Sequence, residues 1–218
     1  MTFPASSSTY VSLRQQMVDS QLRARGICDE RVLAAMSRVP RHEFAPEPCR
    51  DQAYEDHPLP IAEGQTISQP YIVALMLEAL SIVPADRVLE VGTGSGYVTA
   101  LLAELAAEVL SIERHAVLAD SARAVISGMG YRNITIVTGD GTQGYPQLAP
   151  YDAIIVSAAA PEIPKALIDQ LTEGGRMIIP VGATDAQQLL LVQIQGGQPR
   201  TTVRELCRFV PLISGSWG

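Results

Sequence analysis

Three glycines alternate in the run Val88-Leu-Glu-Val-Gly-Thr-Gly-Ser-Gly-Tyr97, at Gly92, Gly94 and Gly96. Glycine permits a tight turn and lets a ligand approach the backbone closely. A helix beginning behind such a turn offers unpaired N–H groups to something polar or anionic. Glu90, Gly92, Thr93, Gly94, Ser95 and Gly96 are therefore candidate ligand-binding positions. Two acids follow in the same order along the chain. Glu113 closes Leu110-Ser-Ile-Glu113, where a carboxylate can accept from both hydroxyls of a vicinal diol such as ribose. Asp140 sits in Thr138-Gly-Asp-Gly141, where it could accept from an adenine amino group while Gly141 lets the flat base approach. Taken singly, Glu113 also reads as a solvated acid at a strand end, and Asp140 as an Asp-Gly turn. All three features fall at the C-terminal ends of successive expected strands, where open α/β sheets bind ligands. Together they read as a nucleoside site.

The elements that must position these residues alternate. Strands are expected at Arg87–Val91, Glu108–Ile112, Ile134–Thr138, Ala153–Val156, Met177–Val181, Leu189–Ile194 and Val203–Phe209. Helices are expected at Tyr97–Leu105, Ala116–Met129 and Pro164–Leu171, with the last two strands joined as a hairpin through Gly196-Gly197. This pattern predicts an α/β fold of Rossmann-like type, a doubly wound and mostly parallel sheet with an antiparallel strand near the C-terminus. Ahead of it, Tyr10–Arg25 reads as an amphipathic helix ending at Gly26, and Asp29 as the N-cap of a helix stopped by Pro40. Phe44 to Pro60 reads as a loop-rich cover. A buried helix over Gln69–Leu80 follows, with Ser68 as its N-cap and Pro70 in its first turn. We read 1–218 as one domain, with 1–64 a helical and loop extension and 65–218 the α/β core and hairpin.

Composition narrows the function. The 218 residues are 47% hydrophobic and 18% charged, which describes a globular rather than a disordered chain. A formal net charge of -7 without basic runs argues against a nucleic-acid partner. Cys28, Cys49 and Cys207, like the three histidines, are too scattered for a disulfide framework or a metal site, so no metal is assigned. Met1–Tyr10 lacks the apolar stretch of a signal peptide, and no segment approaches the roughly 20 apolar residues of a membrane span. The expectation is a cytoplasmic protein, not membrane-bound.

The glycine spacing distinguishes two cofactor classes. Dinucleotide enzymes use G-x-G-x-x-G, but counting from Gly92 the final position is Tyr97, and from Gly94 it is Thr99. The E-x-G-x-G-x-G form instead resembles motif I of class I methyltransferases, which disfavours a nicotinamide oxidoreductase. Over nearly its full length the chain also resembles the protein-L-isoaspartate O-methyltransferase family. The matching stretches include Met17-Val-Asp-Ser-Gln-Leu-Arg-Ala-Arg-Gly26, Val39-Pro-Arg-His-Glu-Phe44, Gly64-Gln-Thr-Ile-Ser-Gln-Pro70, Gly139-Asp-Gly-Thr-Gln-Gly144, Gly174-Gly-Arg-Met-Ile-Ile-Pro-Val-Gly182 and Arg208-Phe-Val-Pro-Leu212. Gly64–Pro70 lies outside the cofactor motifs and is the more diagnostic match.

The resemblance implies S-adenosyl-L-methionine as methyl donor, S-adenosyl-L-homocysteine as product, and the free carboxylate of L-isoaspartyl, and D-aspartyl, residues in damaged proteins and peptides as acceptor. It implies that Thr66, Ile67 and Ser68 border that carboxylate, with Ser68 the catalytic residue. The residues alone favour the cap role for Ser68; the resemblance favours the site. The segment after Val210-Pro-Leu212 would close over the peptide, with Ile213 standing where some relatives carry Thr. Val73 stands where some carry a His near the methyl site. The family is usually monomeric. Because a carboxylate with pKa near 4 is already ionised at neutral pH, attack on a sulfonium methyl needs no general base. Positioning is the expected source of catalysis, and in the family the ester collapses to a succinimide unaided. Two rivals remain: a relative redirected to an aspartate of a biosynthetic peptide, and a non-catalytic donor-binding module. The intact Thr66-Ile-Ser68 stretch disfavours the second.

Overall fold

The computed structural model describes residues 7–183 and 186–215; the first six residues of the polar leader read from Met1 to Tyr10 lie outside that range. The chain opens on α1 (Ser7–Gln16), which runs on through a π-helical turn at Met17–Leu22 and a 3-10 turn at Arg23–Arg25. Gly26, at φ 95°, ends this helical run in the left-handed region that glycine tolerates best. The sequence pattern reads the whole stretch as one α-helix. In the structure its wider turn buries Met17, Val18 and Leu22 together. Asp29 caps α2 (Glu30–Arg38), its carboxylate accepting from the Arg31 and Val32 amides. The region read as a loop-rich cover, Phe44 to Pro60, holds a 3-10 turn at Glu47–Gln52 and the short strand β1 (Leu59–Pro60), which pairs antiparallel with β2 (Thr66–Ile67) just beyond it.

After α3 (Pro70–Leu80) come β3 (Arg87–Val91), α4 (Tyr97–Leu105), β4 (Glu108–Glu113), α5 (Ala116–Gly128), β5 (Ile134–Thr138) and β6 (Tyr151–Val156). A single-turn α6 (Lys165–Ile168), β7 (Leu171–Ala183), β8 (Ala186–Gln195) and β9 (Gln198–Cys207) complete the order. The seven-stranded sheet runs β5-β4-β3-β6-β7-β8-β9. Pairings are parallel from β5 to β7, while β8 runs antiparallel to both neighbours. One strand thus opposes the rest, as the alternation predicts. Gly196 and Gly197, at φ 60° and 71°, turn the β8–β9 hairpin. β9 is the outer strand, exposed along almost its whole length, and its pairing with β8 slips register at Leu189/Leu190.

Alternate residues of β3 enter opposite cores, as a strand covered on both faces requires. Val88 joins Val109, Ala153, Ile155 and Ile178 against α2, α3 and α4, while Leu89 and Val91 join Leu110, Ile112, Ile154 and Met177 on the other face. Met17, Leu22, Leu33, Met36 and Leu59 belong to the first of these cores. The N-terminal region is therefore wedged into the sheet's own packing rather than laid over it. Among the described residues no helix is long and apolar enough to cross a membrane.

Candidate active site

Chain order reverses about β3, with β4 on one side and β6 on the other, which opens a crevice at the strands' C-terminal ends. The glycine loop lies across it. The Gly92 amide donates to the Ile112 carbonyl at 2.8 Å, and the Ser157 amide to the Val91 carbonyl at 2.8 Å. Gly92, Gly94 and Gly96 have φ of 94°, 54° and 89°, a succession that side-chain-bearing residues resist. Gly96 also packs on α5: a Cβ there would sit 3.1 Å from both Ala122 Cβ and Ile126 Cδ1. Its place is thus beneath the loop, where it holds helix against helix, while Gly92, Thr93, Gly94 and Ser95 line the cleft.

That cleft is lined by the glycine loop, Glu113, Gly141, Thr66–Ser68 and Val210–Ile213. Glu113 is almost fully buried, and its carboxylate accepts from the Gly94 amide at 2.8 Å and the His115 amide at 2.9 Å. Each oxygen keeps a lone pair for a diol, and the two amides fix the direction it faces.

Two sequence-read positions stand differently. Glu90, read as a cofactor contact, has no exposed surface and does not line the cleft. Thr99 of α4 and Ser111 of β4 both donate to its Oε2, at 2.5 Å and 2.6 Å, and its Oε1 has no partner. Burial pushes its pKa up to about 8, against the opposing pull of the two hydroxyl donors. Glu90 is a mostly protonated acid riveting β3 to α4 and β4, one layer beneath the ligand-facing surface. Asp140 stands behind Gly141 rather than in the cleft wall. Its Oδ1 accepts from the Thr142 amide and hydroxyl at 2.9 Å and 2.7 Å, and its Oδ2 from the Gly215 amide at 2.8 Å. Burial works to raise its pKa, but these bonds outweigh it and hold the carboxylate below its ordinary value.

The expected cap role of Ser68 is not the one observed. Gln69 occupies the cap position of α3 with Pro70 at the first helical residue. Asp56 supplies the missing acceptor from a distance, taking the Gln69 side-chain amide at 2.9 Å and the Tyr71 amide at 3.4 Å. Ser68 is thereby free of the helix end; its carbonyl accepts from Arg41 at 2.9 Å, and the residue lines the cleft. Ile67 is buried and Thr66 exposed on β2, so the pair is held by register against Pro60 and Leu59. Ile213 is half exposed on a strap whose Val210 carbonyl and Leu212 amide bond Ala159, at 2.8 Å and 2.7 Å. Val73 is buried in α3 and outside the cleft lining.

A second cleft opens between Pro58, Gln69, Ile72 and the Leu206–Val210 segment. It shares Thr66, Ser68, Ser157 and Val210 with the first. Ser157, at the end of β6, belongs to no motif; its one signal in the sequence is a hydroxyl just past a parallel strand. His115, which lines the first cleft, reaches Glu63 of the loop before β2 at 3.5 Å.

The sequence profile of the protein-L-isoaspartate(D-aspartate) O-methyltransferase family matches residues 12–217. A protein-L-isoaspartate O-methyltransferase of Methanoculleus marisnigri is 59% identical over 206 residues, covering 94% of this chain and 93% of that one. One of Koribacter versatilis is 58% identical over 200 residues, covering 92% and 90%. Among solved structures, a protein-L-isoaspartate O-methyltransferase superposes with TM-score 0.83 at 29% identity, covering 94% of this chain and 67% of that one. A Plasmodium falciparum structure assigned to the same activity, in complex with S-adenosyl-L-homocysteine, gives 0.81 at 29% identity, covering 92% and 98%.

Proposed function

The chain belongs to the protein-L-isoaspartate(D-aspartate) O-methyltransferase family, and from that premise we propose which of its residues carry the reaction. It is an S-adenosyl-L-methionine-dependent enzyme that methylates isoaspartyl residues of damaged proteins, the first step of their repair. The observation that carries our reading of the site is the wall common to the two clefts. Thr66, Ser68, Ser157 and Val210 face both, so a donor in one and a peptide in the other meet there.

The residues present suit the donor. Positive-φ glycines bring main chain to the cleft wall, and Glu113 presents a carboxylate directed by two amides. Gly92, Thr93, Gly94, Ser95 and Gly141 would hold it at that wall, with Gly96 and Glu90 as its underpinning. Asp140 would offer its carboxylate to the adenine amino group in place of the Gly215 amide. When bound, the donor supplies a methyl group on a positively charged sulfur.

Catalysis by the protein's own groups is then orientation. The acceptor carboxylate arrives ionised. Ser68 donates to one of its oxygens and leaves the other facing the donor; Ile67, pinned in the core, sets the height of that hydroxyl. Thr66 and Ile213 flank the peptide, and no proton is removed by the enzyme. D-Aspartyl acceptors fit the same scheme. A family member redirected to an aspartate of a biosynthetic peptide would keep the same wall, so the acceptor must be tested directly. We also read 1–218 as a single unit comprising the 1–64 extension and the 65–218 core. The acidic charge and unpaired cysteines support a cytoplasmic protein that binds neither nucleic acid nor membrane, and the family resemblance supports a monomer.

The test is labelled methyl transfer to two synthetic peptides differing only in Asp versus isoAsp linkage, with the native chain and Ser68→Ala. Base-labile label on the isoAsp peptide alone is expected, with kcat reduced at least tenfold in the variant, which is about 1.4 kcal/mol of lost orientation. Unchanged kcat and KM in Ser68→Ala would remove Ser68 from the site. Labelling of the Asp peptide would point to the redirected enzyme.

A further inference from the structure

Among the described residues, Arg41 is the largest side chain with no exposed surface. Burying a guanidinium costs several kcal/mol unless its surroundings repay it, so a position that holds one asks for a reason. Its donors go to carbonyls. Nε donates to Ala53 O at 2.7 Å and Nη2 to Ser68 O at 2.9 Å, while the buried Nη1 has no partner. Its Cζ lies over the Tyr97 ring, 4.9 Å from the centroid. Tyr97 is the first residue of α4 and directly follows the glycine loop.

One rigid planar group therefore touches three segments distant from one another in the sequence: the turn ending at Ala53, the residue after β2, and the start of the donor-side helix. A shorter or floppier donor could satisfy one carbonyl but not fix two while stacking on a ring. We propose that Arg41 is a positioning residue for methyl transfer, setting the Ser68 main chain at a fixed place relative to the glycine-loop helix. The inference rests on Ser68 being the group that orients the acceptor. It gives the bulky, costly side chain a task in the reaction: a hydroxyl displaced by about 1 Å can lose some hundredfold in rate.

The test is a double-mutant cycle of Arg41→Met and Ser68→Ala, read as kcat on an isoAsp peptide and as calorimetric affinity for S-adenosyl-L-homocysteine. Arg41→Met alone is expected to lower kcat about 10- to 100-fold while product affinity stays within about twofold. Arg41→Lys, able to reach one carbonyl, should recover part of that loss. In the Ser68→Ala background, Arg41→Met should cost less than about twofold more, since no hydroxyl remains to be misplaced. Should Arg41→Met fail to fold, Arg41→Lys takes its place in the same cycle with the same non-additivity expected. Multiplying losses in the double variant, or product affinity falling in step with kcat, would overturn the inference and leave a structural role. A silent Ser68→Ala would overturn the Ser68 reading itself, and the inference with it.

Discussion

Glu90→Gln is a substitution whose effect should depend on pH more than on the residue lost. In the native state the carboxyl is sealed from solvent between Thr99 and Ser111, with a pKa of about 8, whereas its ordinary value is 4.5. The folded pKa lies above the unfolded one. Glu90 therefore contributes most favourably below pH 4.5, and that contribution is lost as pH rises from there to about 8. Above pH 8 both states are ionised and the dependence flattens. Glutamine keeps the shape and the acceptor for both hydroxyls but cannot titrate. The stability difference, variant minus native, should rise with pH at about 1.4 kcal/mol per unit. Between pH 5.5 and 7.5 that is about 3 kcal/mol, or roughly 6–12 °C in relative Tm for a chain of this size. Paired thermal or urea melts of the two proteins across pH 5–9 provide the measurement, other titrating groups cancelling in the difference. A difference that stays flat from pH 5 to 8 would refute the reasoning, because Glu90 would then be ionised in the fold.

Glu113→Gln removes the charge that its amide donors orient, and should weaken S-adenosyl-L-homocysteine binding about 10- to 100-fold by calorimetry, the value of one charged hydrogen bond. Gly96→Ala combines a left-handed backbone with a methyl pressed 3.1 Å from Ala122 and Ile126. Urea unfolding should show a loss of about 2–4 kcal/mol, and a loss under 0.5 kcal/mol would mean the loop relaxes at little cost.

Strands were legible where short apolar runs ended at a glycine: β3 and β5 fall on their sequence-read bounds, as does the helix α4. β7 extends six residues before the expected Met177 start, because Leu171–Gly175 is drawn into extension by pairing with Tyr151, a contact remote in sequence. The same limit explains the site. Glu113 and the glycine loop announce themselves locally, since their turn chemistry is contiguous. Glu90 looks like a rim acid from its neighbours alone; only the packing of α4 over β3 shows it sealed. The cap of α3 comes from Asp56, fourteen residues before the helix, so a rule that seeks it next door selects Ser68. Arg41 sits at the edge of a proline-rich stretch that reads as mere cover, and its importance appears only where three distant segments converge.

β9 carries one more consequence, for how the molecule behaves in a crowd. An outermost strand with free main-chain groups is a template onto which another extended chain can add, and an enzyme of damaged proteins works among chains that have lost part of their own pairing. Pro199 lacks an amide, Arg200, Arg204 and Glu205 keep charge beside the exposed Val203 and Leu206, and the register slip opposite Leu189/Leu190 disturbs the ladder's regularity. These are deterrents to edge-to-edge growth. They favour clients meeting the protein at its clefts and leaving, instead of being stitched onto its side.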